Sequence, residues 1–368
     1  MTNPRGTFWP SETQELLLSA ALEQPSEAVD AWQRARPLIS VDELEHGSFA
    51  LLPLIYRNLS AVGLDDIDLP RLKGIHRRTW VRNNLLVERS KATSAALYEA
   101  GIRAELVEGV LIASRFYDEL GLRPTSVLDV LTDANDEIAA LAALAGAGWA
   151  ERTSGTRSHG RVRYVFDAEG NACALRTALA VDLTSARTWL WNAGEPHPIA
   201  GASIPVPPPT ETLFALCVSH ARAKLVPNVQ WLVDATMVLR ADVDWLHLAA
   251  LAEETGQVER MQDALGYIAR LPGPTPPPTV FERLAAIPVG RRQQVAYRCT
   301  AGSAGALGGL PAAVAEHLAL TAERSPLGVV RAFPGFLRER WDLARNWQIP
   351  FAAGQRAARR FVRRGGTA

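Results

Sequence analysis

Two proline runs set the outline of this 368-residue chain before any other feature is read. Proline lacks the N–H that a helix interior or a central strand needs, and its ring clashes with the preceding turn. Neither "IPVPPPT" (204–210) nor "LPGPTPPPT" (271–279) can therefore continue such an element. The first marks a boundary, and the second closes a helical stretch near Thr279. A chain of this length exceeds the usual single core, so two or three domains are expected.

The pattern between the breaks changes once. After Pro10, Ser11 and Gln14 stand at the spacing of a capping box and lead into "LLLSAAL". Helical patterns continue, and the stretch from Leu69 to Ala100 has no strand-like alternation, which predicts one or two long helices. From Gly101 the texture differs. "GIRAELVEG" sets Ile102, Ala104 and Leu106 against Arg103 and Glu105, a short strand ending at Gly109. A helix "VLIASRFYDEL", a strand within "GLRPTSVLDVLT" and an Ala-rich helix "DEIAALAALAGAG" follow. "RVRYVF", the polar turn "DAEGN" and "ALAVDLTSART" then read as a strand pair. Beyond Thr210, four amphipathic helices with short breakers predict a bundle. The expected class is α+β: a small mixed sheet flanked by helical regions. Its parts are a helical region 1–100, an α+β domain 101–209, a helical domain 210–330 and a basic helical tail 331–368.

Composition narrows the partners. Lys+Arg and Asp+Glu balance at 39 each, which argues against bulk attraction to nucleic acid or anionic lipid. Cys173, Cys217 and Cys299 have neither zinc nor disulfide spacing and read as buried thiols. No segment has the length and apolarity of a membrane span, and a cytoplasmic location is expected.

The segment "LVEGVLIASRFYDELGLRPTSVLDVLT", with an Asp-bearing "LAVDLTSARTWLW" and the helical "LFALCVSHARAKLVPNVQWLVDATMVLR", resembles the uncharacterised bacterial nucleotidyltransferase family of the nucleotidyltransferase superfamily. The likeness runs over roughly 250 residues from about Leu51. It implies a nucleotidyltransferase-type sheet, with Mg²⁺ or Mn²⁺ as cofactor if the protein is active. A nucleoside triphosphate would be attacked at its α-phosphorus by an acceptor hydroxyl or amine. It also implies a role in bacterial biosynthesis of modified peptides or surface polysaccharides. Carboxylates two apart on one strand point to one face and can share ions. The family's carboxylates map onto Val127, Asp129 and Asp182, so the first of the pair is lost, and its Lys before the helix glycine is Glu108. An apolar side chain cannot ligate Mg²⁺, and Glu for Lys removes phosphate affinity.

On this resemblance Asp129 and Asp182 are the candidate catalytic and metal residues. Glu108, Gly109, Arg123 and Ser126 are the nucleotide-binding candidates, and His220 and Asp234 would support them from behind. Each has a plainer reading. Asp129 could cap a loop or pair with Arg123, Asp182 could cap a turn, and Arg123 could brace its loop. His220 and Asp234 could be structural. Trp189, Trp191, Trp231 and Trp245 read as core or groove lining. Basic residues Arg152, Arg157, His159, Arg161 and Arg163, and the tail arginines Arg356, Arg359, Arg360, Arg363 and Arg364, are candidate partner-facing patches. Two functions follow: a nucleotidyltransferase-like protein with a weakened metal site, or a non-catalytic module that binds a peptide or protein partner.

Overall fold

The computed structural model describes residues 9–151, 162–178, 194–221, 228–301, 310–321, 325–341, 343 and 345–355. It is an α+β fold. Helices α1 (Glu12–Leu22), α2 (Pro25–Ala35), α3 (His46–Phe49), α4 (Leu52–Ala61) and α5 (Leu69–Glu99) come first. The capping box at α1 forms as the spacing predicts: the Gln14 N–H donates to Ser11 Oγ at 3.3 Å, and the Ser11 N–H donates to Gln14 Oε1 at 3.0 Å. The Leu69–Ala100 stretch is one helix of 31 residues.

Strand β1 (Ala104–Val107), helix α6 (Gly109–Arg115), β2 (Val127–Thr132), α7 (Glu137–Gly146), β3 (Val162–Phe166) and β4 (Ala172–Arg176) make a four-stranded sheet of order β1-β2-β4-β3. It is mixed: β2 runs antiparallel to β1 and parallel to β4, with Asp129 opposite Val107 on one side and Ala174 on the other. The strand after the polar turn is "ACALR" rather than the expected "ALAVDLTSART", whose residues 179–188 lie outside the described set. Both segments are apolar, and strand pairing with β2 and β3 identifies "ACALR". A hairpin of β5 (Glu195–Ile199) and β6 (Ala202–Val206) leads into the first proline run. There Pro209 opens helix α8 (Pro209–His220), at a position whose missing N–H costs nothing. Helices α9 (Gln230–Val238), α10 (Trp245–Glu254), α11 (Val258–Ile268) and α12 (Pro278–Ala286) follow.

The sheet separates two cores. Leu128, Val130, Cys173 and Leu175 pack with Leu86 and Val87 of α5 and with α7. On the other face Val107 and Leu131 join a larger cluster that runs continuously through α1, α4, α6, α8, α9 and α11. Trp231 lies in that core, and Trp245 packs against it half-buried. Cys173 and Cys217 are buried and Cys299 is half-buried. Trp189, Trp191, the basic residues Arg152, Arg157, His159 and Arg161, and the tail arginines from Arg356 on lie outside the described residues. Arg163 is exposed and pairs with Glu137 at 2.8 Å. Among the described residues no helix is long and apolar enough to cross a membrane.

A buried ion pair joins sheet to bundle. Arg123 Nε and Nη2 donate to the two oxygens of Asp234 on α9 at 2.8 and 2.7 Å, and the Tyr117 hydroxyl donates to the same carboxylate at 2.7 Å. Both partners are under a tenth exposed. Removing one member of such a pair strands the other charge without water. Asp234→Ala should therefore lower stability by about 3–5 kcal/mol in urea unfolding, and adding Arg123→Leu should recover part of that loss.

Candidate functional site

The site grows from one backbone device. After β1 the chain must turn at once into α6, and Glu108 makes that turn with φ 53° and ψ −133°, a conformation that costs a non-glycine residue about 1–3 kcal/mol. Gly109 then presses against β2. A Cβ placed there would sit 2.8 Å from the Val127 carbonyl oxygen, 2.9 Å from Thr125 Cγ2 and 3.5 Å from Asp129 Oδ2. The glycine is required by this approach, and backbone cannot yield as a side-chain tip could. Gly109→Ala should lever α6 off β2 and cost about 1–3 kcal/mol in thermal or urea unfolding.

The loop before β2 is braced from three sides. Asn83 of α5 donates to the carbonyls of Leu120 and Arg123 at 2.6 and 2.7 Å. Gln230 of α9 donates to the Pro124 carbonyl at 2.9 Å. Arg123 supplies the third brace: besides Asp234, its Nη1 donates to Thr125 Oγ1 at 2.9 Å and to the Gly109 carbonyl at 3.2 Å. Its guanidinium is thus turned inward onto protein groups, the geometry of a loop brace. Ser126 is exposed at the start of β2, and Val127 is half-buried beside it.

Asp129 points to the same sheet face as Val127 and Leu131. Its partner is Arg176 at the end of β4, not Arg123. Arg176 Nε and Nη2 both reach Asp129 Oδ1, at 2.8 and 2.7 Å. Arg176 Nη2 also lies 3.8 Å from Glu108 Oε2, and His220 Nε2 from α8 lies 3.6 Å from that oxygen. Glu108, Asp129, Arg176 and His220 thus form one cluster, fed by β1, β2, β4 and α8. Asp234 stands behind Arg123 and outside this cluster. Asp182 lies outside the described residues.

The sequence reading did not single out Arg176. Its signal was a lone charge closing the apolar run "ACALR", and only strand register places it across from Leu131, next to Asp129 on one face. Nor does the pattern single out Glu105. It is buried on β1, its Oε2 has no hydrogen-bond partner, and burial with the nearby Glu211 charge pushes its carboxyl up to about 7.

The electrostatics divide the two carboxylates of the cluster. Burial pushes Asp129 up to about 6; Arg176 opposes this and Glu108 adds to it. At Glu108 burial also raises the carboxyl, yet the charges of His220 and Arg176 and the contact with His220 outweigh it and hold the group well below the usual carboxylate range. The signs for stability are opposite. The Asp129 contribution is complete below about pH 3.8 and is lost as pH rises through about 6, whereas that of Glu108 is complete above about 4.5 and is lost in stronger acid. From pH 4 to pH 7 the stability difference should therefore move in favour of Asp129→Asn over the parent, read from urea unfolding at each pH.

A divalent cation fits these residues poorly. Val127 offers no donor, Asp129 Oδ1 is occupied by a guanidinium, and Glu108 is shared between Arg176 and His220. Among the described residues no three His, Cys, Asp or Glu side chains converge as ligands.

The chain's likeness to known proteins rests on its family match. No curated protein matches its sequence. A solved structure of an antigenic nucleotidyltransferase-like protein from Paracoccidioides brasiliensis is similar at 12% identity with a TM-score of 0.35, covering 55% of this chain and 94% of that chain. The family model described as uncharacterised nucleotidyltransferase matches residues 49–273, which include β1, β2, β4, the site cluster and the bundle helices that brace it. That match takes in more than half of the sequence, and the chain belongs to the uncharacterised nucleotidyltransferase family.

Proposed function

We propose that this chain is a nucleotidyltransferase-like protein with a weakened metal site, one that uses the fold for recognition and does not carry out metal-dependent nucleotidyl transfer. The observation that supports this is the seating of Arg176 on Asp129. Two or three carboxylates in a nucleotidyltransferase cage are left uncompensated until Mg²⁺ or Mn²⁺ arrives. Here a tethered monovalent cation offsets the carboxylates permanently, and Val127 removes the ligand that would let a metal compete. A triphosphate brought to these residues would meet Glu108 and Asp129 without a divalent ion to offset them.

The family suggests a nucleotide as ligand, and the same cleft could equally hold a peptide or partner enzyme in a bacterial biosynthetic pathway for modified peptides or polysaccharides. The catalytic reading keeps one support: Asp182, with Glu108 standing in for the lost carboxylate, could share an ion with Asp129 once Arg176 swings away.

Thermal unfolding separates the two. The parent should give no metal-dependent shift with any nucleoside triphosphate. Val127→Asp combined with Arg176→Ser restores the carboxylate pair and removes the tethered cation, so that variant should be less stable alone and regain stability with Mg²⁺ or Mn²⁺. A ligand at 100 times its dissociation constant adds about 2.7 kcal/mol, well within reach of the measurement. Metal-dependent stabilisation of the parent that Asp129→Ala abolishes would overturn the proposal in favour of a working transferase.

A further inference from the structure

On the side of α5, away from Asp129, lies a groove that no other described residue fills. It lies between the middle of α5 and the turn from β3 to β4, with a volume of about 500 Å³. Arg77, Arg78, Val81, Arg82 and Leu85 line it from the helix, and Glu169 lies on the turn side. Helical spacing makes the lining. Arg77, Val81 and Leu85 follow one another at four-residue steps, and Arg78 and Arg82 form a parallel row.

Both kinds of surface are unsatisfied. Val81 is 51% and Leu85 56% exposed, and the neighbouring Trp80 is 49% exposed. Among the described residues Arg77, Arg78 and Arg82 have no ion-pair or hydrogen-bond partner, and the Nε of Arg82 is buried without one. Arg89, two turns further on, shows the contrast: it pairs with Asp167 at 3.2 Å and lies 4.7 Å over the Trp149 ring. Like charges at Arg78 and Arg82 repel across one turn of helix, and Glu169 is one carboxylate against three guanidiniums.

We propose that this groove docks an acidic peptide segment of a partner protein, whose carboxylates pair with Arg77, Arg78 and Arg82 while an apolar side chain covers Val81 and Leu85. Arginine recognises carboxylates in forked pairs, and removal of Val81 and Leu85 from water adds a term that charge alone does not supply. A nucleic-acid backbone would answer the arginines but leave the two apolar side chains wet. The inference does not depend on what the cleft at Asp129 does, since the two sites lie on opposite faces of the sheet.

The test uses the full chain and a fluorescein-labelled acidic peptide carrying two leucines, beside labelled polyglutamate and oligouridylate, in fluorescence anisotropy. The variants are Arg78→Glu with Arg82→Glu, and Val81→Ser with Leu85→Ser, each checked for unchanged circular dichroism and unfolding midpoint. Saturable binding of the leucine-bearing peptide is expected, weakened by about tenfold or more in both variants and weaker for polyglutamate. The proposal is overturned by absence of saturable binding, or by binding indifferent to either variant. Tighter binding of oligouridylate that ignores Val81 and Leu85 would assign the groove to nucleic acid instead. Self-association of the parent in light scattering, abolished by the same substitutions, would assign it to a second copy of this chain.

Discussion

The Arg123–Asp234 pair is the interaction on which the arrangement rests. It is forked, buried, and spans from the loop before β2 to helix α9, with the Tyr117 hydroxyl closing the same carboxylate. A guanidinium taken out of water must have its donors met, and this one is met by Asp234, Thr125 and the Gly109 carbonyl together. That requirement holds three things in one geometry: the loop, the first turn of α6, and the bundle. The continuous core through α1, α6, α8 and α9 supplies apolar burial that has no direction of its own. The forked ion pair has direction and ties the loop before β2 to α9.

With the frame held this way, the charges on the sheet face compensate one another. Glu108 reaches the cluster because its backbone accepts a strained turn, and Asp129 because β2 carries it two residues past the loop. Arg176 arrives from the parallel neighbour β4. In this cluster one guanidinium, Arg176, faces both carboxylates, and His220 lies against Glu108. The frame itself is held by packing and by the Arg123–Asp234 pair.

Much of this was legible in the chain. The helical first hundred residues, the capping box at Ser11, the strand through Asp129, the bundle beyond Thr210 and the family itself all follow from local patterns: apolar spacing, cap chemistry, proline breaks and a motif. What was misread shares one cause. Glu105 alternates as an outward residue yet is buried, since β1 has β2 on one edge and the β6 hairpin packed nearby. The strand after the polar turn was placed too late because two apolar segments compete and only long-range pairing chooses between them. The sequence leaves Arg123 open to phosphate or to bracing, and Asp234, which pairs with it, lies more than a hundred residues away.

The sequence by itself determined the class of fold and the family, because these follow from short periods and a local motif. The tertiary structure decided who pairs with whom. Asp129 met Arg176 rather than Arg123, Asp234 took Arg123, and three arginines of α5 face a groove with no partner among the described residues. Ion pairing depends on distance and burial in space, and neither is encoded in the local pattern that makes a strand or a helix.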